Sequence, residues 1–151
     1  MAWSDTLDAL VALLAGVDGV DAVLRVPAVT AAEIGVSSTV VVLTPAGRKT
    51  SRLAGGDRER VWTQRVTVLR KVAATNSAAV LAAIDAVTAA TLAVDDALDA
   101  RITLAGEATV VTPFAWDEGA AFEIPPDSGQ IYAGQSGTCD VHVVGAGPRG
   151  A

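Results

Sequence analysis

The apolar pattern changes period across residues 72–77, and that change limits this chain to folds that pack helix against sheet. From 61 to 72 the residues alternate. Trp62, Gln64, Val66, Val68, Arg70 and Val72 face one way, and Val61, Thr63, Arg65, Thr67, Leu69 and Lys71 the other, as in an extended strand. Beyond 77 the spacing becomes three and four: Val80, Leu81, Ile84, Val87, Thr88, Thr91 and Leu92 trace the inner face of a helix. Alanines between them (Ala78, Ala79, Ala82, Ala83, Ala86, Ala89, Ala90) favour helix, and Thr75, Asn76 or Ser77 can cap its start.

The remaining segments extend this scheme. Ser4 can cap a first helix whose Asp5 and Asp8 suit the positive end of the helix dipole. Leu7, Leu10, Val11 and Leu14 form its apolar face, and Gly16 and Gly19 flank its end. Val20–Val26 reads as a short strand closed by Pro27, Val29–Gly35 fits no single element, and Thr39–Leu43 is a β-branched run suited to a strand buried on both faces. Pro45–Arg60, rich in Gly and Arg, reads as a long loop joining two strands of a hairpin. Val94–Asp99 fits a final helical turn or a separate short one. Arg101–Leu104 and Ala108–Thr112 read as strand pieces. Pro113, Pro125 and Pro126 make Phe114–Tyr132 a loop excursion or a set of irregular strands, with Pro125–Gly129 a turn. Thr138–Val144 reads as a closing strand. The expected architecture is α+β: a mixed or antiparallel sheet, two helices packed on it and a long basic β-hairpin loop. Residues 1–145 form one domain in this reading, and 146–151 a flexible Gly/Pro-rich tail.

Half of the residues are apolar, but much of that share is Ala and Val, and six residues are aromatic. Small side chains bury little area each, so the expectation is a modest core completed by burial against further copies of the chain. No run of about 18 uninterrupted apolar residues occurs, so no membrane span is expected. The N-terminus lacks the basic start of a signal peptide. Cys139 is the sole cysteine, which excludes an intrachain disulfide and a cysteine-based zinc site.

Charge is strongly segregated. Eight of the eleven basic residues lie between Arg48 and Lys71, beside only Asp57 and Glu59, while the rest of the chain holds three basic and fifteen acidic residues. A basic hairpin on an acidic body can associate head to tail, since each copy offers both signs to a neighbour. The same arginines could grip phosphate, or the segment could be a solvated loop. The candidate interface residues are Arg48, Lys49, Arg52, Arg58, Arg60, Trp62 and Arg65.

No constellation for catalysis, cofactor or metal binding stands out. Gly145-Ala146-Gly147-Pro148-Arg149-Gly150 matches G-x-G-x-x-G, but no helix-forming run follows it, and a dinucleotide site needs that helix N-terminus. His142 and Cys139 are three apart, and strand parity places them on opposite faces. Asp95, Asp96 and Asp99 lack the spacing of a calcium loop and fit a solvated helix end. Trp3, Trp62 and Trp116 fit core or interface anchors. The chain is therefore expected to work through its surfaces, not as an enzyme.

One family resembles this order of elements. Asp5–Leu14 and then Val40–Leu43 carry the likeness. It continues through Val61-Trp62-Thr63-Gln64-Arg65-Val66-Thr67-Val68 into Ser77–Leu92, and ends with Gln130-Ile131-Tyr132-Ala133-Gly134 leading to Cys139-Asp140-Val141-His142-Val143. This succession resembles the tail terminator, or tail completion, proteins of long-tailed bacteriophages. The likeness is one of architecture and covers most of the chain. It implies a virion protein of the tail and neck, assembled in the host cytoplasm, that forms a ring of itself, usually a hexamer. Such a ring caps the tail tube protein, stops its polymerisation and meets the head–tail connector, with DNA passing through the lumen without sequence recognition. Phe114–Tyr132 is longer and richer in proline than that pattern. Two alternatives stay open: a small nucleic-acid-binding domain using the basic hairpin 48–71, or another phage neck or tube component.

Overall fold

The computed structural model describes residues 3–25, 39–72, 76–99, 109–111, 115–117, 120–123 and 130–146. Val29–Gly35, Arg101–Leu104, Pro27, Pro113, the Pro125–Gly129 turn and the tail beyond Ala146 lie outside them. The described elements are α1 (Trp3–Ala15), β1 (Ala22–Arg25), β2 (Thr39–Arg52), β3 (Asp57–Lys71), α2 (Ser77–Asp99), β4 (Thr109–Val111), β5 (Ala115–Trp116), β6 (Ala120–Glu123) and β7 (Ile131–Ala146). The fold is α+β, a mixed sheet with both helices packed against one face.

The sheet runs in the order β1-β2-β3-β7-β4, with β5 and β6 also paired to β7. β1 lies parallel to β2 (Val23 opposite Val41), and the other pairings are antiparallel. β7 spans the sheet: β3 follows one edge along its length, and β6, β5 and β4 take successive stretches of the other. Within the irregular region 114–132 the described residues form the short strands β5 and β6, and β7 opens at Ile131, well before the expected Thr138. At the crossing of β5 and β7, a side chain on Gly137 would meet the Ala115 carbonyl oxygen at 2.7 Å and the Trp116 ring at 2.9 Å. Glycine is what lets that indole lie on the sheet.

Alternation decides what each face holds. On the helix-bearing face Val41 and Leu43 of β2 sit beside Val68 and Val66 of β3, and Cys139 and Val141 of β7 continue the row. α1 adds Leu7, Leu10 and Leu14, the stripe expected for it, while Val11 is half-buried. Burial of each such leucine contributes about 1.5–3 kcal/mol. The opposite face has a smaller cluster of Val40, Val42, Leu69 and Tyr132. Thr39–Leu43 is buried throughout, as a strand packed on both faces should be.

Two expectations need correction. Pro45–Arg60 is not a long loop. β2 and β3 stay paired out to Arg52 opposite Arg58, and only the tight turn Leu53–Gly56 joins them. Gly55 and Gly56 carry positive φ there (84° and 88°), which lets so short a connection close. Composition misled because charged and glycine residues mark a loop only when no neighbouring strand offers hydrogen bonds, and here β3 and β7 do.

The inner face of α2 is also rotated from the expected one. Ala83, Val87, Ala90, Thr91, Val94 and Leu98 are buried, Val80 and Ile84 half-buried, whereas Leu81, Thr88 and Leu92 face outward. The buried face mixes small Ala83 and Ala90 with Val87, Val94 and Leu98, while Ala78, Ala82 and Ala89 are exposed. The helix is one element to Asp99, capped by Asn76, whose side-chain oxygen accepts from the Ala79 amide at 2.8 Å. A polar contact ties it to the sheet: the Trp116 indole donates to Asp95 at 2.7 Å, while the Thr91 hydroxyl donates to the Thr88 carbonyl at 2.8 Å with the Gln135 side-chain oxygen 3.3 Å away.

Candidate interface

The outer halves of β2 and β3, with the end of β7 paired along β3 as far as Asp57, form an arm about 20 Å long. Residues 45–50 of β2 are all exposed, in contrast to the buried 39–43 of the same strand. The division falls at an irregularity between Pro45 and Gly47, where Pro45 pairs with Gln64 and Gly47 with Thr63, leaving Ala46 as an extra residue.

That bulge sets where the arginines point. Before it, odd residues of β2 share a face with even residues of β3 (Val41 with Val68); after it, even residues do. Arg48 is opposite Trp62, Thr50 opposite Arg60 and Arg52 opposite Arg58. Residues directly opposite one another share a face of the sheet. Arg48, Arg52, Arg58, Arg60 and Trp62 therefore lie on one surface, the same side of the sheet as the helices. The Arg48 guanidinium sits 5.1 Å from the centre of the Trp62 ring, a cation–π distance, and Trp62 itself packs against the edge of the main core. On that face the register sets Thr50, Trp62, Val141 and Val143 beside the four arginines, and no carboxylate of β2 or β3.

The other two candidates are on the reverse side. Lys49 is opposite Val61, and Arg65 is opposite Thr138. That reverse face is mixed: the Thr63 hydroxyl donates to Asp140 at 2.7 Å, and His142 lies 3.8 Å from the Glu59 carboxylate. Charge on an outer strand can simply discourage sheets from joining edge to edge. Arg58 and Arg60 fall outside that account, because β3 is flanked on both sides by paired strands.

Two arginines directly opposite each other repel, at a cost of a few tenths of a kcal/mol. Folding alone gains nothing from stacking Arg52 on Arg58 beside Arg48 and Arg60. The arrangement is suited to an anionic counterpart, whose charge would cancel that repulsion.

Groups weighed for chemistry sit apart from this surface. Cys139 is buried and its thiol is pushed up to about 12, first by desolvation and then by the charge of Asp140. It is held as a thiol, the opposite of an activated nucleophile. Cys139 is opposite Gln64 and His142 opposite Val61, so the two lie on opposite faces, as parity requires. Among the described residues no group of three or more His, Cys, Asp or Glu side chains is placed to hold a metal ion. An open groove of about 230 Å³ between β3 and α2 is lined by Arg70, Lys71 and Val72 on one side and by alanines of α2 on the other.

The sequence did not point to the outer face of α2. Leu81 and Leu92 are each 60% exposed, and Asp85 and Asp96 share their side of the helix. α2 is long and apolar enough, by length and composition, to cross a membrane, although its buried stripe packs on the sheet. The signal that could have set its rotation was Asp85 and Asp96, which mark the side away from the core. No protein-family model matches the chain, and no curated protein sequence matches it.

Proposed function

We propose that this chain is a structural virion protein of the tail terminator kind. It assembles with copies of itself, six in the ring that the resemblance implies, to cap the tail tube, stop its polymerisation and meet the head–tail connector. The supporting observation is the arm: a rigid paired extension with four arginines on one surface, carried by a chain that is otherwise acidic. A unit that offers opposite charges on two different surfaces joins head to tail, and such contacts close into a ring when the rotation between copies allows it. Capping is mechanical in this reading. The ring fits the tube end on one side and offers no surface on the other to template the next tube subunit. DNA passes through the lumen without being read, no residue has a catalytic role, and the protein resides in the tail or neck of the virion.

Solution mass by light scattering, with negative-stain images of the same peak, tests the reading. A closed ring of about 90 kDa from six 15.2 kDa chains is expected. A chain that stays monomeric and fails to bind purified tail-tube ends would overturn it. Binding to a connector or another neck protein, but not to the tube, would make it a different neck component.

The gathering of four guanidiniums on one face also supports a second reading, a domain that grips nucleic-acid phosphates. Affinity for duplex DNA would then fall with salt, with a log–log slope of about −0.9 per phosphate neutralised. Absent or salt-insensitive binding removes that reading.

A further inference from the structure

We propose that the arginine face of the arm docks on the outer face of α2 in a second copy of this chain. The inference rests on the ring reading and names the two surfaces that form its repeating contact. α2 presents Leu81, Asp85, Leu92 and Asp96 along one line, spaced by four, seven and four residues, all exposed. The helical layer of one copy leaves the arm uncovered on the helix-bearing side, and a neighbour's α2 extends that layer over it.

The chemistry matches point by point. Asp85 and Asp96 stand about 16 Å apart along the helix, at about 1.5 Å per residue. Arg48 and Arg52 stand about 14 Å apart along β2, and Arg58 and Arg60 lie across from that span on β3. Both carboxylates thus reach guanidiniums at once, and planar guanidinium forks suit carboxylates. Leu92, between the two carboxylates, and Leu81, one turn before Asp85, meet the exposed part of the Trp62 ring and the aliphatic stems of the arginines. The contact relieves two unfavourable features together: like charges facing each other on the arm, and two large apolar side chains in water on α2. It is heterologous, since each copy uses its arm on one neighbour and its α2 on the other, which is the geometry of a ring.

A charge swap tests it. Two variants are made, Asp85→Arg with Asp96→Arg, and Arg52→Glu with Arg58→Glu, and circular dichroism checks that each is folded. The first variant alone meets only like charge at the contact, and the second sets new carboxylates at positions 52 and 58 against Asp85 and Asp96 while keeping Arg48 and Arg60. Each is expected to run as a 15.2 kDa monomer where the wild type is oligomeric. Mixed one to one, each arm finds an opposite charge on the other variant, so the mixture regains the oligomer with the two kinds alternating. If a variant does not fold, Asp96→Asn and Arg52→Gln take its place, each expected to weaken self-association about tenfold or more.

Variants that keep the wild-type ring overturn this contact and leave the ring reading standing. A mixture that stays monomeric, or a wild type monomeric at every concentration, also overturns it. Failure of that monomer to bind tube ends would then remove the ring reading as well. A lipid surface as the occupant of α2 would show as wild-type flotation with phosphatidylcholine–phosphatidylglycerol vesicles that Leu81→Ser abolishes, and that result too would overturn the inference.

Discussion

The same two strands, β2 and β3, build two different surfaces, and the boundary is the extra residue at Ala46. Inboard of it, Val40–Leu43 and Val66–Leu69 are almost wholly buried, and helices cover one face. Outboard, arginine replaces valine at the equivalent positions, and no described helix covers the strands. The inner half stabilises the fold within one copy. The outer half sets Arg52 directly opposite Arg58, a like-charge pair that costs a few tenths of a kcal/mol. The bulge lets one pair of strands do both, because it shifts the alternation just where the side chains must change role.

The largest contrast between the halves is in what truncation costs. Leu14 of α1 is fully buried in the core beneath the inner half. Leu14→Ala should lower unfolding free energy by about 2–5 kcal/mol, read from urea midpoints. Arg48→Ala on the arm should shift the midpoint by less than about 0.5 kcal/mol in the monomer. Similar losses at the two sites would break the division drawn between core and arm.

Cys139 sharpens the comparison from the buried side. Its thiol is pushed up to about 12 in the folded chain, against an ordinary value of 9.0. Below pH 9 both states hold the proton, so the group contributes no pH dependence there. Between 9 and 12 the unfolded chain loses the proton while the folded chain keeps it, so stability falls as pH rises, by up to about 1.4 kcal/mol per pH unit. Denaturation of wild type and Cys139→Ala from pH 8 to 11 should show the wild type losing stability more steeply. Parallel curves would mean that the thiol reaches water.

How much of this was legible in the sequence depended on the half. The inner sheet and α1 were readable because their apolar residues repeat with the period of their own element and meet few competing signals. Leu7, Leu10 and Leu14 fell on the core side as periodicity required, and Val66 and Val68 did the same. The arm was read as a loop because Arg, Lys, Gly and Ser at 47–52 carry no apolar alternation. Its strand character comes from hydrogen bonds to β3, a partner only the tertiary structure supplies. The register was invisible for the same reason, so nothing in the spacing of Arg48, Arg52, Arg58 and Arg60 shows that one bulge brings them to one face. In α2 the apolar residues occupy more than half of the helix circumference, so period alone left its rotation open.

The smallest expected effect separates a surface built for association from one built for stability. Arg52 and Arg58 face each other across the strands, so Arg52→Glu replaces a repelling pair with an attracting one. At a concentration where the chain is monomeric, this variant should be more stable than wild type by about 0.2–1 kcal/mol at low salt. The gain should shrink in about 1 M salt, where the Debye length falls to about 3 Å. In the proposed contact the same substitution sets a carboxylate against Asp85 and Asp96 of the neighbour, so its self-association should weaken while its monomer strengthens. Opposite signs in the two measurements are the outcome that repulsion held for an acidic partner requires. An arm whose charge serves only solubility would show no linked loss of assembly, and a monomer made less stable by the exchange would mean that Arg52 is held by contacts other than its neighbour across the strand.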